Sequence, residues 1–157
     1  MVYTKEELLL LQGMEGKLLQ MVYYHQWVNN ADTNGIMHFI DYMELQFTDG
    51  TKVVLHRPDE QECILPLLMV NIPALNAAVV KEFNGKIKYV TKDFSDTLLW
   101  RGLIGRPLTA VLLDEDEPGM YTTEALVLEA GEAKVLIGLS MGEGLEAGPF
   151  GIVDDED

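Results

Sequence analysis

Cysteine is almost absent from this sequence: Cys63 stands alone among 157 residues. No intramolecular disulfide and no thiolate metal cluster can form, and a reducing, cytoplasmic setting is expected. Long apolar runs are lacking as well. The most apolar stretch, Ile64 to Val80, is broken by Pro66, Asn71, Pro73 and Asn76 and falls short of the ~20 residues that span a bilayer. Near the start, Glu6 and Glu7 precede the run Leu8 to Leu11, which is neither the cationic nor the long apolar region of a signal peptide, so export by that route is not expected. Positive charge is scarce too. Eleven Lys and Arg face 26 Asp and Glu, a net charge of −15, and a surface of that sign repels nucleic-acid phosphates and anionic headgroups. Neither nucleic acid nor membrane is an expected partner.

What the chain does contain is enough apolar material for one core. With 48% apolar residues, 14 glycines and 6 prolines, it reads as a single domain over residues 1–157. The charge is unevenly spread. Residues 81 to 106 carry six basic and three acidic side chains, whereas 107 to 157 carry one and thirteen. The densest acid runs are Asp114 to Glu117 and Asp154 to Asp157. Each run has two readings, a solvated segment or a surface for a cationic partner.

Self-similarity organises the pattern. Gln12 to Tyr24 lies over Arg101 to Leu113 without a gap, both reading G-x-x-G-[KR]-x-L-x-x-V, and Leu45 to Leu55 resembles Leu126 to Leu136, two apolar strands around a glycine-containing turn. A strand followed by a hairpin, used twice over about 12–57 and 101–140, predicts a β-dominated α+β fold. Such units cannot bury their apolar faces alone, so they are expected to pack as a barrel-like or sandwiched antiparallel sheet. The turns are expected at Thr48-Asp49-Gly50 and Glu129-Ala130-Gly131.

Helices are few. Thr4 and Glu7 have capping-box spacing, which predicts a short helix from Lys5 to Gln12 ending at Gly13. Pro73 to Phe83 predicts a second helix between the two units, with Leu75, Val79 and Phe83 as its packing stripe and Asn84-Gly85 as its stop. Lys86 to Lys92 alternates cationic and apolar residues and predicts an edge strand. Asp96 to Trp100 is expected to add a turn of helix.

No catalytic set emerges. Gly138-Leu139-Ser140-Met141-Gly142 matches the nucleophile elbow G-x-S-x-G, but the elbow needs a following helix and a later histidine, and here glycines follow. His25, His38 and His56 have no metal-ligand spacing. A hairpin of Lys17–Val28 with Ile36–Phe47, closed by the loop Asn29 to Gly35 and pairing Val28 with Ile36, would set His25 against Phe39 and point His25 and His38 to opposite faces. Dinucleotide and P-loop fingerprints are missing. No metal or cofactor is expected, and an enzyme is the less favoured class.

Tyr23, His25 and Trp27 share one strand face beside an Asn- and Asp-rich loop. That face is either an aromatic binding surface or a buried core strand. With Asp114, Glu115, Asp116 and Glu117, these three residues are the candidate partner-binding set of an acidic protein-binding module that engages a basic protein. In charge and size only, this is similar to small acidic inhibitor or immunity proteins. The alternatives are a β-barrel that binds a small molecule and a protein whose acidity serves solubility alone.

Overall fold

The structure is a computed structural model and describes residues 1–29 and 37–150. The loop expected at Asn29–Gly35, apart from Asn29 itself, the partner residue Ile36 and the terminal acid run Asp154–Asp157 lie outside the described residues.

Local signals set the first helix. The Thr4 hydroxyl accepts from the Glu7 N–H while the Glu7 carboxylate accepts from the Thr4 N–H, and α1 (Lys5–Gln12) follows with Gly13 as its cap. These bonds satisfy backbone donors that the first turn leaves unpaired. Strand β1 (Leu19–Asn29) then pairs antiparallel with β2 (Met37–Phe47), and β2 turns through Thr48–Gly50 into β3 (Lys52–His56). The short β4 (Leu65–Leu67) adds to β3. Helix α2 (Ile72–Glu82) is capped by Asn71, whose side chain accepts from the Ala74 N–H, and leads to β5 (Ile87–Asp93), which pairs with β1. One turn of helix, α3 (Leu98–Arg101), precedes β6 (Ala110–Glu117), β7 (Met120–Ala130), β8 (Ala133–Leu139) and β9 (Leu145–Pro149), a meander of antiparallel neighbours.

All nine strands belong to one sheet, curled into an antiparallel half-barrel rather than split into two stacked layers. β2 is the shared strand. Its length runs against β1, Tyr42 to Gln46 also pair with β3, and Ile40 pairs with Leu145 of β9. The two glycine motifs meet where β1 and β6 begin. The Gly16 N–H donates to Leu108 O at 2.8 Å and the Gly105 N–H to Leu19 O at 2.7 Å, while Leu108 N–H reaches Lys17 O at 2.9 Å and Leu19 N–H reaches Arg106 O at 3.3 Å. Both glycines turn the chain with positive φ, +87° and +79°, which side-chain-bearing residues adopt at a cost. These reciprocal bonds place the motifs side by side; they do not establish a duplication.

The core lies inside the curl. Leu19, Val22 and Tyr24 of β1 meet Met43, Leu45 and Phe47 of β2, with Trp100 and Leu103 from the α3 segment and Leu126, Leu128, Val135 and Ile137 from β7 and β8 closing the interior. The Trp100 indole N–H donates to Tyr24 Oη at 2.6 Å, and the Tyr24 ring stacks on Phe94 at 4.0 Å between centroids. Among the described residues, no helix is long and apolar enough to cross a membrane.

Four expectations need correction. Val28 pairs with His38 and not with Ile36, and His25 faces Tyr42 and not Phe39, an offset of two residues at the first pair and three at the second, where β2 carries an extra residue; His38 shares the face of Val28, so His25 and His38 still belong to opposite faces. Asp114 to Glu117, whose acids before Pro118-Gly119 predict a turn, is strand, the exposed end of β6, because the hairpin turn is made by Pro118 and Gly119 alone. The second hairpin turns at Gly131-Glu132, since Ala130 still pairs with Ala133. Finally, α2 buries none of its residues, so the stripe of Leu75, Val79 and Phe83 has a role other than core packing.

Candidate functional site

Two β-bulges shape the face of the sheet that looks away from the core. Gln20 is the extra residue in β1, between the pairs Leu19–Phe47 and Met21–Gln46, and Asp41 is the extra residue in β2, between Gln26–Ile40 and His25–Tyr42. A bulge shifts the side-chain alternation by one. Without it, Phe39 and Tyr42, three residues apart, would point to opposite faces. With it, Phe39 lies opposite Trp27 and Tyr42 opposite His25, while Tyr89 lies opposite Trp27 on β5 and His56 opposite Tyr42 on β3. One sheet face therefore collects five aromatic rings.

These rings floor a cleft of about 710 Å³. Trp27 and Phe39 stack with centroids 4.9 Å apart, Tyr42 and His56 stack at 5.6 Å, and the Tyr89 ring is tilted 55° to Tyr42 at 6.2 Å. Leu75 and Val79 of α2 and Phe83 at its C-cap form one wall, held to the floor by Asn76, whose side-chain oxygen accepts from the Tyr89 N–H at 2.8 Å. The opposite wall is the segment after β3 together with the β8–β9 turn. Arg57 ties the two parts of that wall: Nε donates to Gln61 O, and Nη1 donates to Ser140 O at 3.0 Å and to Gly144 O at 3.3 Å. A second cavity of about 400 Å³ adjoins the first and shares Trp27, Phe39, Gly142 and Glu143 with it.

The electrostatics are one-sided. Asp41, Asp59, Glu60, Glu82 and Glu143 line the cleft against one guanidinium, and that guanidinium is occupied by carbonyl oxygens. Among the described residues, none of the five carboxylates forms an ion pair. The Asp41 carboxylate accepts the Tyr89 hydroxyl. Burial pushes the Asp41 carboxyl above its ordinary value, and the charges of Asp59 and Glu143 add to that shift, partly opposed by the Tyr89 hydrogen bond. Burial and the Asp41 carboxylate together drive the Tyr89 phenol up. Burial also raises Tyr42, helped by the charges of Asp41 and Asp59, and lowers His56 against the opposing charge of Asp59, which favours the neutral imidazole. Such a concentration of perturbed groups in one cleft is a mark of functional sites.

Beyond the cleft floor the same face becomes a hydrogen-bonded polar band. His25 Nε2 meets Glu44 Oε1 at 2.9 Å and Nδ1 meets Thr91 Oγ1 at 2.7 Å, while Gln46 donates to the other Glu44 oxygen. Burial pushes the Glu44 carboxyl up, but the hydrogen bonds from Gln46 and His25 and the charge of Lys52 outweigh it and hold the group below its ordinary value.

The face carrying Tyr23, His25 and Trp27 is thus the one opposite the core. Of the three, Trp27 lines both cavities, His25 is buried in the polar band, and Tyr23 is half-buried beside Glu44. Asp114 to Glu117 are exposed on β6 and line neither cavity. Ser140 sits in the turn between β8 and β9, where its N–H donates to Gly144 O, and a strand, not a helix, follows it.

The sequence pointed to His56 only as a histidine without metal-ligand spacing and did not point to Asp41, Tyr42 or Tyr89, although one signal for the bulge was present. The core residues Ile40, Met43, Leu45 and Phe47 are spaced by three, two and two, and the odd step marks the bulge.

Gly144 gives the cleft a mechanical test. It has φ +80°, and a Cβ there would lie 2.6 Å from Ile40 O and 2.7 Å from Phe39 Cδ1. The carbonyl cannot yield, so Gly144→Ala is expected to displace the turn and Phe39 with it, costing about 1–3 kcal/mol. Urea unfolding measures that cost, and a changed Trp27 emission would report loss of the Phe39 stack; an unchanged spectrum with unchanged stability would refute the contact.

Comparison with protein-family models, with curated proteins and with solved structures gives no match. The functional reading therefore rests on the cleft itself.

Proposed function

We propose that this protein is an acidic binding module that engages a basic protein, with the aromatic cleft as the principal contact site and the acidic end of β6 as a steering surface. The observation that carries this reading is the cleft: six aromatic rings, five on its floor and Phe83 in its wall, and five carboxylates around a single guanidinium that is already bonded to backbone. Aromatic faces and carboxylates attract the same ligands, cations with some apolar surface. Trp27 is the anchor in this scheme, and Asp114, Glu115, Asp116 and Glu117 act at longer range. Cys63, a free and buried thiol, suits a reducing cytoplasmic setting. We further read the two glycine motifs as equivalent points of a duplicated strand-plus-hairpin unit, a reading supported by their reciprocal hydrogen bonds. A small organic cation bound without any protein is the competing ligand class.

Affinity capture from the host's own lysate at low and high salt, with mass spectrometry of bound proteins and released small molecules, separates these outcomes. A stoichiometric basic protein released by salt supports the reading. A small molecule alone, or no ligand at all, refutes it. With the captured protein in hand, the association rate is expected to fall about tenfold between ~0.02 and ~0.15 M salt. Changing Asp114 to Glu117 to alanine is expected to lower the association rate with little change in dissociation, whereas Trp27→Ala is expected to speed dissociation. Stopped-flow kinetics distinguish the two.

A further inference from the structure

We infer that the Asp41 end of the cleft is an arginine site, which takes a single guanidinium from the basic partner; this deepens the function proposed above and rests on it. Four observations point to that group in particular. Asp41 is held in the cleft by the bulge and by Tyr89, which bonds only Oδ2. The other carboxylate oxygen has no partner among the described residues. Asp59 and Glu143 lie close enough to act on Asp41 electrostatically, and Arg57, the one cation lining the cleft, gives its N–H groups to backbone carbonyls and forms no ion pair with any of the three. The position is thus an anionic locus in which carboxylates outnumber the single cation.

The surroundings select among cations. Asp41 is half-buried, and a guanidinium is more weakly hydrated than an ammonium, so it loses less on leaving water. Its plane can stack on aromatic rings while its edge bonds a carboxylate, and Tyr42, Tyr89 and His56 line the cleft together with Asp41. Leu75 and Val79 of α2 line the same cleft and offer an apolar track for the three methylenes of an arginine stem. A lysine ammonium would use the carboxylate but not the stacking. The full cleft is far larger than one guanidinium, which leaves the Trp27–Phe39 end for residues that flank the arginine.

Binding of N-acetyl-arginine amide to the whole protein, followed by NMR shifts of the Trp27 indole and of the Tyr42 and Tyr89 amides at fixed ionic strength, tests the site directly. The isosteric but uncharged N-acetyl-citrulline amide tests charge, and N-acetyl-lysine amide tests shape. Arginine is expected to bind at least about tenfold more tightly than citrulline and severalfold more tightly than lysine. Asp41→Asn, which keeps an oxygen for Tyr89, is expected to abolish the preference over citrulline. Tyr42→Leu, which removes the ring but keeps an apolar side chain, is expected to abolish the preference over lysine. Equal binding of arginine and citrulline, or shifts confined to residues outside the cleft, would overturn the site. Lysine binding as tightly as arginine would overturn the assignment to arginine. If these amides fail while a salt-labile basic protein is still captured, the arginine site falls and the proposed function stands; if neither binds, both fall.

Discussion

Replacing Trp100 by alanine is expected to remove about 3–5 kcal/mol of unfolding free energy, the largest stability effect of any single change considered. Trp100 is fully buried at the point where α3 plugs the curl of the sheet, so the deletion leaves a cavity among side chains held by β1, β7 and β8. The loss is not only of volume. Trp100 Nε1 is the donor for the Tyr24 hydroxyl, and Tyr24 is itself buried, so the variant strands a polar group at a further cost of about 1 kcal/mol or more. A domain with a total stability of roughly 5–15 kcal/mol has little margin for that. Urea unfolding followed by far-UV circular dichroism measures the change, and Trp27, then the sole tryptophan, reports the cleft separately. A loss below ~1 kcal/mol would mean that the site collapses around the deletion or that Trp100 is not the plug.

Asp41→Asn is expected to move stability and binding in opposite directions. The Asp41 carboxyl titrates above its ordinary value of 3.8 in the folded chain. Between those two pKa values the folded state holds a proton that the unfolded state has released, so unfolding free energy falls as pH rises through that window and stays lower above it. Asparagine carries no such penalty. The variant is therefore expected to melt at a higher temperature than the parent at pH 7, with the difference shrinking as pH falls through the window and vanishing once the carboxyl is protonated in both folded and unfolded chains. Affinity for the basic partner is expected to fall about tenfold or more, because a charge-assisted bond in a half-buried cleft is lost. Scanning calorimetry across pH, with binding measured on the same samples, checks both halves. An unchanged affinity together with higher stability would show that the half-buried carboxylate has no part in recognition.

Much of the secondary structure was legible because its signals are local. The Thr4–Glu7 box fixed α1 at its observed limits, and the helix expected from Pro73 to Phe83 appears one residue earlier, because Asn71 serves as cap and Pro73 falls in the first turn. The edge strand expected at Lys86–Lys92 is β5, shifted by one residue. The candidate site was legible only in part. Trp27 was found because aromatic spacing drew attention to its strand, but Asp41 was passed over, since a lone aspartate inside an apolar strand carries no motif. Its importance comes from the bulge, from Tyr89 48 residues away and from a helix wall whose apolar stripe looked like core.

The sequence by itself determined the element types, the sign of the charge and the exclusion of disulfides, because capping hydroxyls, turn glycines and side-chain composition act over a few residues or over the whole surface. It could not decide which face of β1 is the interior, since Val22 and Tyr24 on one face and Tyr23 and Trp27 on the other are equally able to be buried. The tertiary structure decided that. Pairing with β2 placed Met43 and Leu45 beside Val22 and Tyr24 in the curl, and the extra residue at Asp41 turned Phe39 and Tyr42 outward together. Register and bulges depend on contacts between strands far apart in sequence, and those contacts set which side chains meet.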